Sequence, residues 1–248
     1  MSGNAKLKTT RPEKIFLCDQ VIQYTSILDA AIIGDLYYWI AKGEKPWRIA
    51  SDYGNLFRVN EKTIRDRFKS LTNEHRYLSR TRPRLDNGGY GAYQFSSNKT
   101  DSSKALLAIY QGILNNSDIN HDFGGFDPND TDYREIPSTQ LLLTSSIEQT
   151  NCIKSAYLLD RICWAMVSRC QGELYFSNKA HLARWSSIKY KTAFRLIESL
   201  KAIGLADFDC KSGQLIIWAN DSSSLSFFTD YMADKHEARK LFIEEAAA

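Results

Sequence analysis

Two stretches of the chain carry cations and amides at a spacing suited to gripping an anionic polymer. Asn60, Lys62, Thr63, Arg65 and Lys69 occupy one; Ser187, Lys189, Tyr190, Lys191 and Arg195 occupy the other. Lysine ammoniums suit phosphate oxygens, whereas Asn and Arg present paired hydrogen-bonding atoms that match the edges of adenine and guanine. A third group, Arg76, Arg80, Arg82 and Arg84, follows the first stretch. Its last three members alternate at period two, so on a strand they project to one side. Arginines in that pattern on a hairpin predict phosphate or minor-groove contact.

The two basic stretches are copies of one another. Asn60–Leu71 reappears 129 positions later as Lys189–Leu200, with Lys-Thr near the front and Ser-Leu at the back of each. Upstream, Ala31, Asp35 and Trp39 are matched by Ala156, Asp160 and Trp164. The repeat implies two related modules of roughly 85–100 residues each.

Hydrophobic spacing indicates what must position these residues. Ile27 to Ala41 reads as a helix with Ile32, Ile33, Leu36, Tyr37 and Ile40 on one face, stopped near Gly43. Trp47 to Phe57 reads as a second helix. Glu61 to Leu71 reads as a third, with Asn60 as N-cap and Ile64, Phe68 and Leu71 inward. Tyr77 to Leu85, a turn at Asp86-Asn87-Gly88-Gly89, and Tyr90 to Ser96 read as a hairpin whose first strand Pro83 confines to a sheet edge. The second module repeats the order: Ile153 to Cys170, Asn178 to Trp185 capped by Ser177, and a helix capped by Ser186 or Ser187 that ends at Gly204. A hairpin over Leu205 to Trp218 follows, with Asp207 and Asp209 on its first strand. Lys104 to Leu114 reads as a linker helix, Asn115 to Asp132 as a loop, and Asp230 to Glu245 as a tail helix.

The expectation is thus an α+β, mainly α fold with two tandem winged helix-turn-helix domains, 15–98 and 134–220. A linker at 99–133 would join them and a helical tail at 221–248 would follow. The tail's Phe227, Phe228, Tyr231, Leu241 and Phe242 offer apolar positions for docking on the second unit or on another subunit.

Charge is partitioned to match. The net +3 divides into +7 over residues 1–100 (17 Lys+Arg against 10 Asp+Glu), −5 over 101–135 (2 against 7), +4 over 136–220 (10 against 6) and −3 beyond (3 against 6). Basic modules separated by acidic segments are what contact with an anionic polymer requires. Solvation alone accounts for the total but not for the partition.

Other functions find little support. Apolar runs such as Ala30 to Ile33 are far too short to span a bilayer, and the first residues lack a signal-peptide core, which predicts a cytoplasmic protein without a membrane partner. The five cysteines form no C-x-x-C pair and read as small core residues; the four histidines lack metal-ligand spacing. No phosphate-loop motif is present, and Gly88-Gly89-Tyr90-Gly91 reads as a turn. Asp207-x-Asp209 and Asp130-x-Asp132 could in principle hold a divalent metal, but neither has a converging base. The sequence predicts no enzyme, no catalytic residue, no cofactor and no metal.

One resemblance goes further. Arg134-Glu135-Ile136-Pro137-Ser138-Thr139-Gln140-Leu141-Leu142, followed by Ala156-Tyr157-Leu158-Leu159-Asp160-Arg161, resembles the winged-helix origin-binding domain of plasmid and phage replication initiators. Leu182-Ala183, Thr192, Arg195, Leu200 and Gly204-Leu205 continue the pattern; the first copy lacks the Ile-Pro opening and the Gly-Leu after its third helix. The resemblance implies sequence-specific binding of double-stranded DNA at repeated origin sites, with helicase or loader proteins as further partners; a homodimer is a further expectation, for which the tail's apolar residues would serve. A transcriptional regulator is the alternative. A scaffold whose second module binds protein is another, favoured by the acidic second hairpin and tail.

Overall fold

The computed structural model describes residues 14–86, 88–114, 139–168, 173–211 and 214–219. The first unit runs β1 (Lys14–Cys18), α1 (Asp19–Tyr24), α2 (Ile27–Ala41), β2 (Trp47–Arg48), α3 (Ala50–Phe57), α4 (Glu61–Lys69), a π-helical turn over Ser70–Glu74, β3 (Leu78–Thr81) and β4 (Tyr93–Ser97). Helix α5 (Asp101–Leu114) follows. The second unit runs β5 (Thr139–Leu143), α6 (Thr144–Thr150), α7 (Ile153–Ser168), β6 (Glu173–Phe176), α8 (Lys179–Trp185), α9 (Tyr190–Ala202), β7 (Ala206–Lys211) and β8 (Gln214–Ala219). The architecture is mixed α+β and mostly helical. Among the described residues no helix is long and apolar enough to cross a membrane.

The duplication extends to topology. Each unit follows the order β-α-α-β-α-α-β-β, and its antiparallel three-stranded sheet is ordered β2-β4-β3 or β6-β8-β7. The leading strands of the two units pair with each other, β1 antiparallel to β5. Their register is symmetric: Phe16 faces Leu141, its own counterpart 125 residues later, with Lys14–Leu143 and Cys18–Thr139 at the ends. Sequence periodicity did not predict this ladder.

Helix α2 lies at the centre. Its residues from Ile27 to Tyr37 are all buried, not only those of one face. It packs against β1, α5 and α7, so a sequence apolar on nearly every side is what its surroundings demand, and its two buried acids, Asp29 and Asp35, are both paired. Ser26 caps it, accepting from the Asp29 backbone N–H at 3.1 Å and donating to the Asp29 carboxylate at 2.6 Å. Gly43, at φ 83°, lies just past its end. Helix α5, expected as a linker, docks on α2: Tyr110 is buried, stacks on Tyr37 at 5.7 Å and donates to the Phe16 carbonyl at 3.3 Å. Burial pushes the Tyr37 phenol up to about 12, and Tyr110 upward as well.

Each unit secures its following helices to this centre with a different buried polar node. In the first, Asp35 accepts both Arg48 Nε at 2.7 Å and Nη2 at 3.0 Å, and also the Tyr53 hydroxyl. A carboxylate this deep is tolerable only when paired and fully hydrogen-bonded. That need explains why Trp47–Arg48 forms a strand rather than opening the helix expected from Trp47; the helix starts at Ala50. In the second unit Arg161 donates to the Tyr157 hydroxyl and to the Trp185 carbonyl, both at 2.7 Å, while Tyr157 donates to the Ser186 carbonyl at 3.1 Å. The Asp160-Arg161 pair singled out in the sequence is therefore buried. Its arginine ties α7 to the end of α8.

Other expectations are corrected locally. Asn178, not Ser177, caps α8, accepting from the His181 N–H at 2.9 Å. Helix α9 has Lys189 at its N-cap position; Ser186 is buried and Ser187 lies in the turn. Cys210 is exposed, while Cys18 and Cys163 are buried. Arg134–Ser138, the Asp130-x-Asp132 pair, Cys170, Asn87, the second hairpin's Ser212-Gly213 and the tail from 220 lie outside the described residues.

Candidate nucleic-acid interface

The turns between α3 and α4 and between α8 and α9 are built alike. Arg58 (φ 56°) and Ser187 (φ 54°), 129 residues apart, are both left-handed. Immediately after them, the Val59 N–H bonds to the Gly54 carbonyl at 3.0 Å, and the Ile188 N–H to the Ala183 carbonyl at 3.1 Å. Each second helix is thereby held by its apolar face: Ile64 and Phe68 in α4, Ala193, Leu196, Ile197 and Leu200 in α9.

Helix α4 leaves Lys62, Arg65, Asp66 and Lys69 exposed, with Thr63 half-buried. Asn60 is its N-cap, and the Asn60 Oδ1 accepts from the Lys62 N–H at 2.7 Å. That bond occupies the acceptor an adenine would need, so Asn60 serves the helix first. Arg67 turns inward to Asp29 at 3.5 Å. Glu61 accepts from Arg65 Nη2 at 2.5 Å across one helical turn.

The hairpin brings its arginines to the same region. Arg80 pairs with Phe95 in the β3–β4 ladder, and its guanidinium lies 5.1 Å from the Tyr93 ring centre. Arg82 lies 5.0 Å from that ring and 5.4 Å from Tyr90, and its Nε donates to the Gly91 carbonyl at 2.9 Å. Arg84 is bridged to Tyr90. These contacts hold two flexible side chains against aromatic faces, with Arg82 exposed and Arg80 half-buried. A cleft of about 290 Å³ between α4 and the hairpin is lined by Glu61, Arg65, Arg82, Tyr93, Ile49 and Gly91, among others. The structure thus joins Arg65 and Arg82 at one cleft. Arg76, a left-handed residue beyond the π-helical turn, does not line it, and neither does Lys69. Glu61 and Tyr93 were missed by sequence reasoning; the four-residue spacing of Glu61 and Arg65 was the signal for the first.

The second surface differs. Lys189, Tyr190, Lys191 and Arg195 are exposed, and Ser187 is half-buried in the turn. The counterpart of Arg65 is Phe194, which packs edge-on against Phe208 at 5.4 Å beneath the Lys179 ammonium at 3.8 Å. Asp66 is matched by Arg195, and Lys69 by Glu198. Of the exposed cations on α4, only Lys62 has a basic counterpart, Lys191. On the hairpin, Lys201 bonds Asp207 at 2.5 Å and holds its carboxyl below the usual range, while Asp209 accepts from the Cys210 N–H at 2.7 Å. The chain matches no protein-family model, no curated protein and no solved structure.

Proposed function

We propose that the chain binds double-stranded DNA sequence-specifically through two winged helix-turn-helix units, with α4 and α9 as the groove-reading helices and each β-hairpin as a wing. The observation that carries this reading is the cleft lined by both Arg65 of α4 and Arg82 of the hairpin; Lys62, on the same helix, is exposed. A helix offering cations to a groove, flanked by a hairpin whose arginines are held against Tyr93, suits a phosphate backbone and an adjoining base edge. The repeated turn at Arg58 and Ser187 supports the same role for α9.

The two helices offer different side chains at matching positions, so the bound site consists of two dissimilar halves. The biological role we infer is that of an initiator recognising repeated sites at the origin of a plasmid, phage or mobile element, in line with the sequence resemblance around Asp160-Arg161. Partner replication proteins and self-association belong to that same proposal. Sequencing the fragments that the intact chain retains from random DNA tests the binding reading; recovery of no common site would overturn it. Tandem copies of that site that fail to sustain autonomous replication with the chain supplied would leave a transcriptional regulator instead.

A further inference from the structure

We propose that Glu61 and Arg65 act together as the specificity-determining pair of the first unit, reading a single G·C base pair through the major groove; this rests on the DNA-binding reading above. Glu61 is half-exposed at the start of α4, where its carboxylate holds Arg65 Nη2 at 2.5 Å. Both side chains line the cleft that Arg82 and Tyr93 flank. A carboxylate there repels phosphates and so lowers non-specific affinity. Helix-dipole complementarity explains an acid in the first turn and the i,i+4 spacing explains its bond to Arg65, but neither explains why both side chains line the cleft.

The pair has a chemical complement. A guanidinium carries five N–H donors, so the bond to Glu61 leaves others to point outward beside the carboxylate oxygens. Donors next to acceptors match the major-groove edge of G·C, where the O6 and N7 acceptors of guanine adjoin the N4 amino group of cytosine. On an A·T pair the carboxylate would face the thymine O4 acceptor, and the repulsion would reject that pair as well as failing to hold it. The second unit has Tyr190 and Phe194 at these two positions and lacks the device.

The test compares sites selected from random DNA by the wild-type chain and by Glu61→Ala, Arg65→Ala and the double variant. Both residues are exposed, so the variants should fold as wild type. Wild type should select an invariant G·C pair within the first half-site. Glu61→Ala should lose roughly 5- to 150-fold of the preference for G·C over A·T at that position, without weakening binding to the A·T site. Arg65→Ala should lose the same preference, and the double variant should lose no more than the stronger single one. Uniformly tighter binding by Glu61→Ala with unchanged preferences would overturn the proposal and leave Glu61 as an electrostatic brake, with the DNA-binding reading intact. Failure of the wild type to select any site would overturn both.

Discussion

Arg58 and Ser187 hold the same left-handed backbone conformation at equivalent places in two units that otherwise differ along their exposed faces. Neither is glycine, so both turns carry a strain that a side chain adds in this region, about 1–2 kcal/mol. Glycine would relieve it but would lose about 0.5–1 kcal/mol in unfolded-state entropy. Ser187→Gly should therefore stabilise the chain slightly, by about 0.5 kcal/mol, and Ser187→Val should destabilise it by roughly 1–3 kcal/mol. Urea unfolding of the two variants checks this; a valine tolerated without cost would mean the turn is not left-handed.

Gly34 gives a sharper prediction because two effects oppose each other. In a helix interior, Gly→Ala ordinarily gains about 1 kcal/mol. Here an alanine Cβ would lie 1.9 Å from the Phe16 carbonyl oxygen and 3.0 Å from its carbon, both backbone atoms of β1. Overpacking of that severity wins, so Gly34→Ala should destabilise by roughly 3 kcal/mol and disturb the β1–β5 ladder centred on Phe16. The counterpart position is the fully buried Leu159, where the opposite change, Leu159→Ala, should cost about 2–5 kcal/mol through a cavity. A stabilised Gly34→Ala chain would show that α2 does not approach β1 so closely.

These cases also show how far the sequence alone could reach. Local patterns located α2 at Ile27–Ala41, the Asn60 cap and the left-handed Gly204, because each depends on neighbours within a few residues. The β1–β5 ladder was invisible: Ile15, Phe16, Leu17 and Cys18 are all buried, so the strand lacks alternation, and its partner lies 125 residues away. Tyr110 reads as one apolar residue of a linker helix until α2 is in place to receive it. At the site, the residue types were legible and their pairings were not. Arg82 comes to the cleft that Arg65 lines only through the hairpin's path, and Asp207 could not be seen to be neutralised by Lys201.

The proposed DNA contacts are tested by salt dependence rather than by affinity alone. Each lysine or arginine that neutralises one phosphate contributes about 0.9 to the slope of log K against log salt. Lys62→Ala and Arg82→Ala should each flatten that slope by about this amount and weaken binding at all sequences alike. In the second unit, Lys191→Ala and Arg195→Ala should do the same if α9 lies in a groove. An unchanged slope and affinity for both would make the second unit a protein-binding module, consistent with its acidic hairpin.

His181 should make stability depend on pH in a direction set by its environment. It is buried in α8, and its Nδ1 accepts from the Ser177 backbone N–H at 3.1 Å, a bond that requires an unprotonated nitrogen. The ring also packs edge-on against Phe176 at 5.4 Å. Burial, with the nearby Arg184 charge, holds its pKa below the ordinary 6.5. The unfolded chain then binds a proton more readily than the folded one as the medium is acidified. The contribution of His181 should be fully present above 6.5 and be lost progressively as pH falls through the lower folded-state value. An NMR titration of the ring gives that value directly. Urea unfolding of wild type and His181→Gln should show stabilities that converge with acidification; parallel curves would mean that the imidazole titrates equally in both states and that the Ser177 bond does not constrain it.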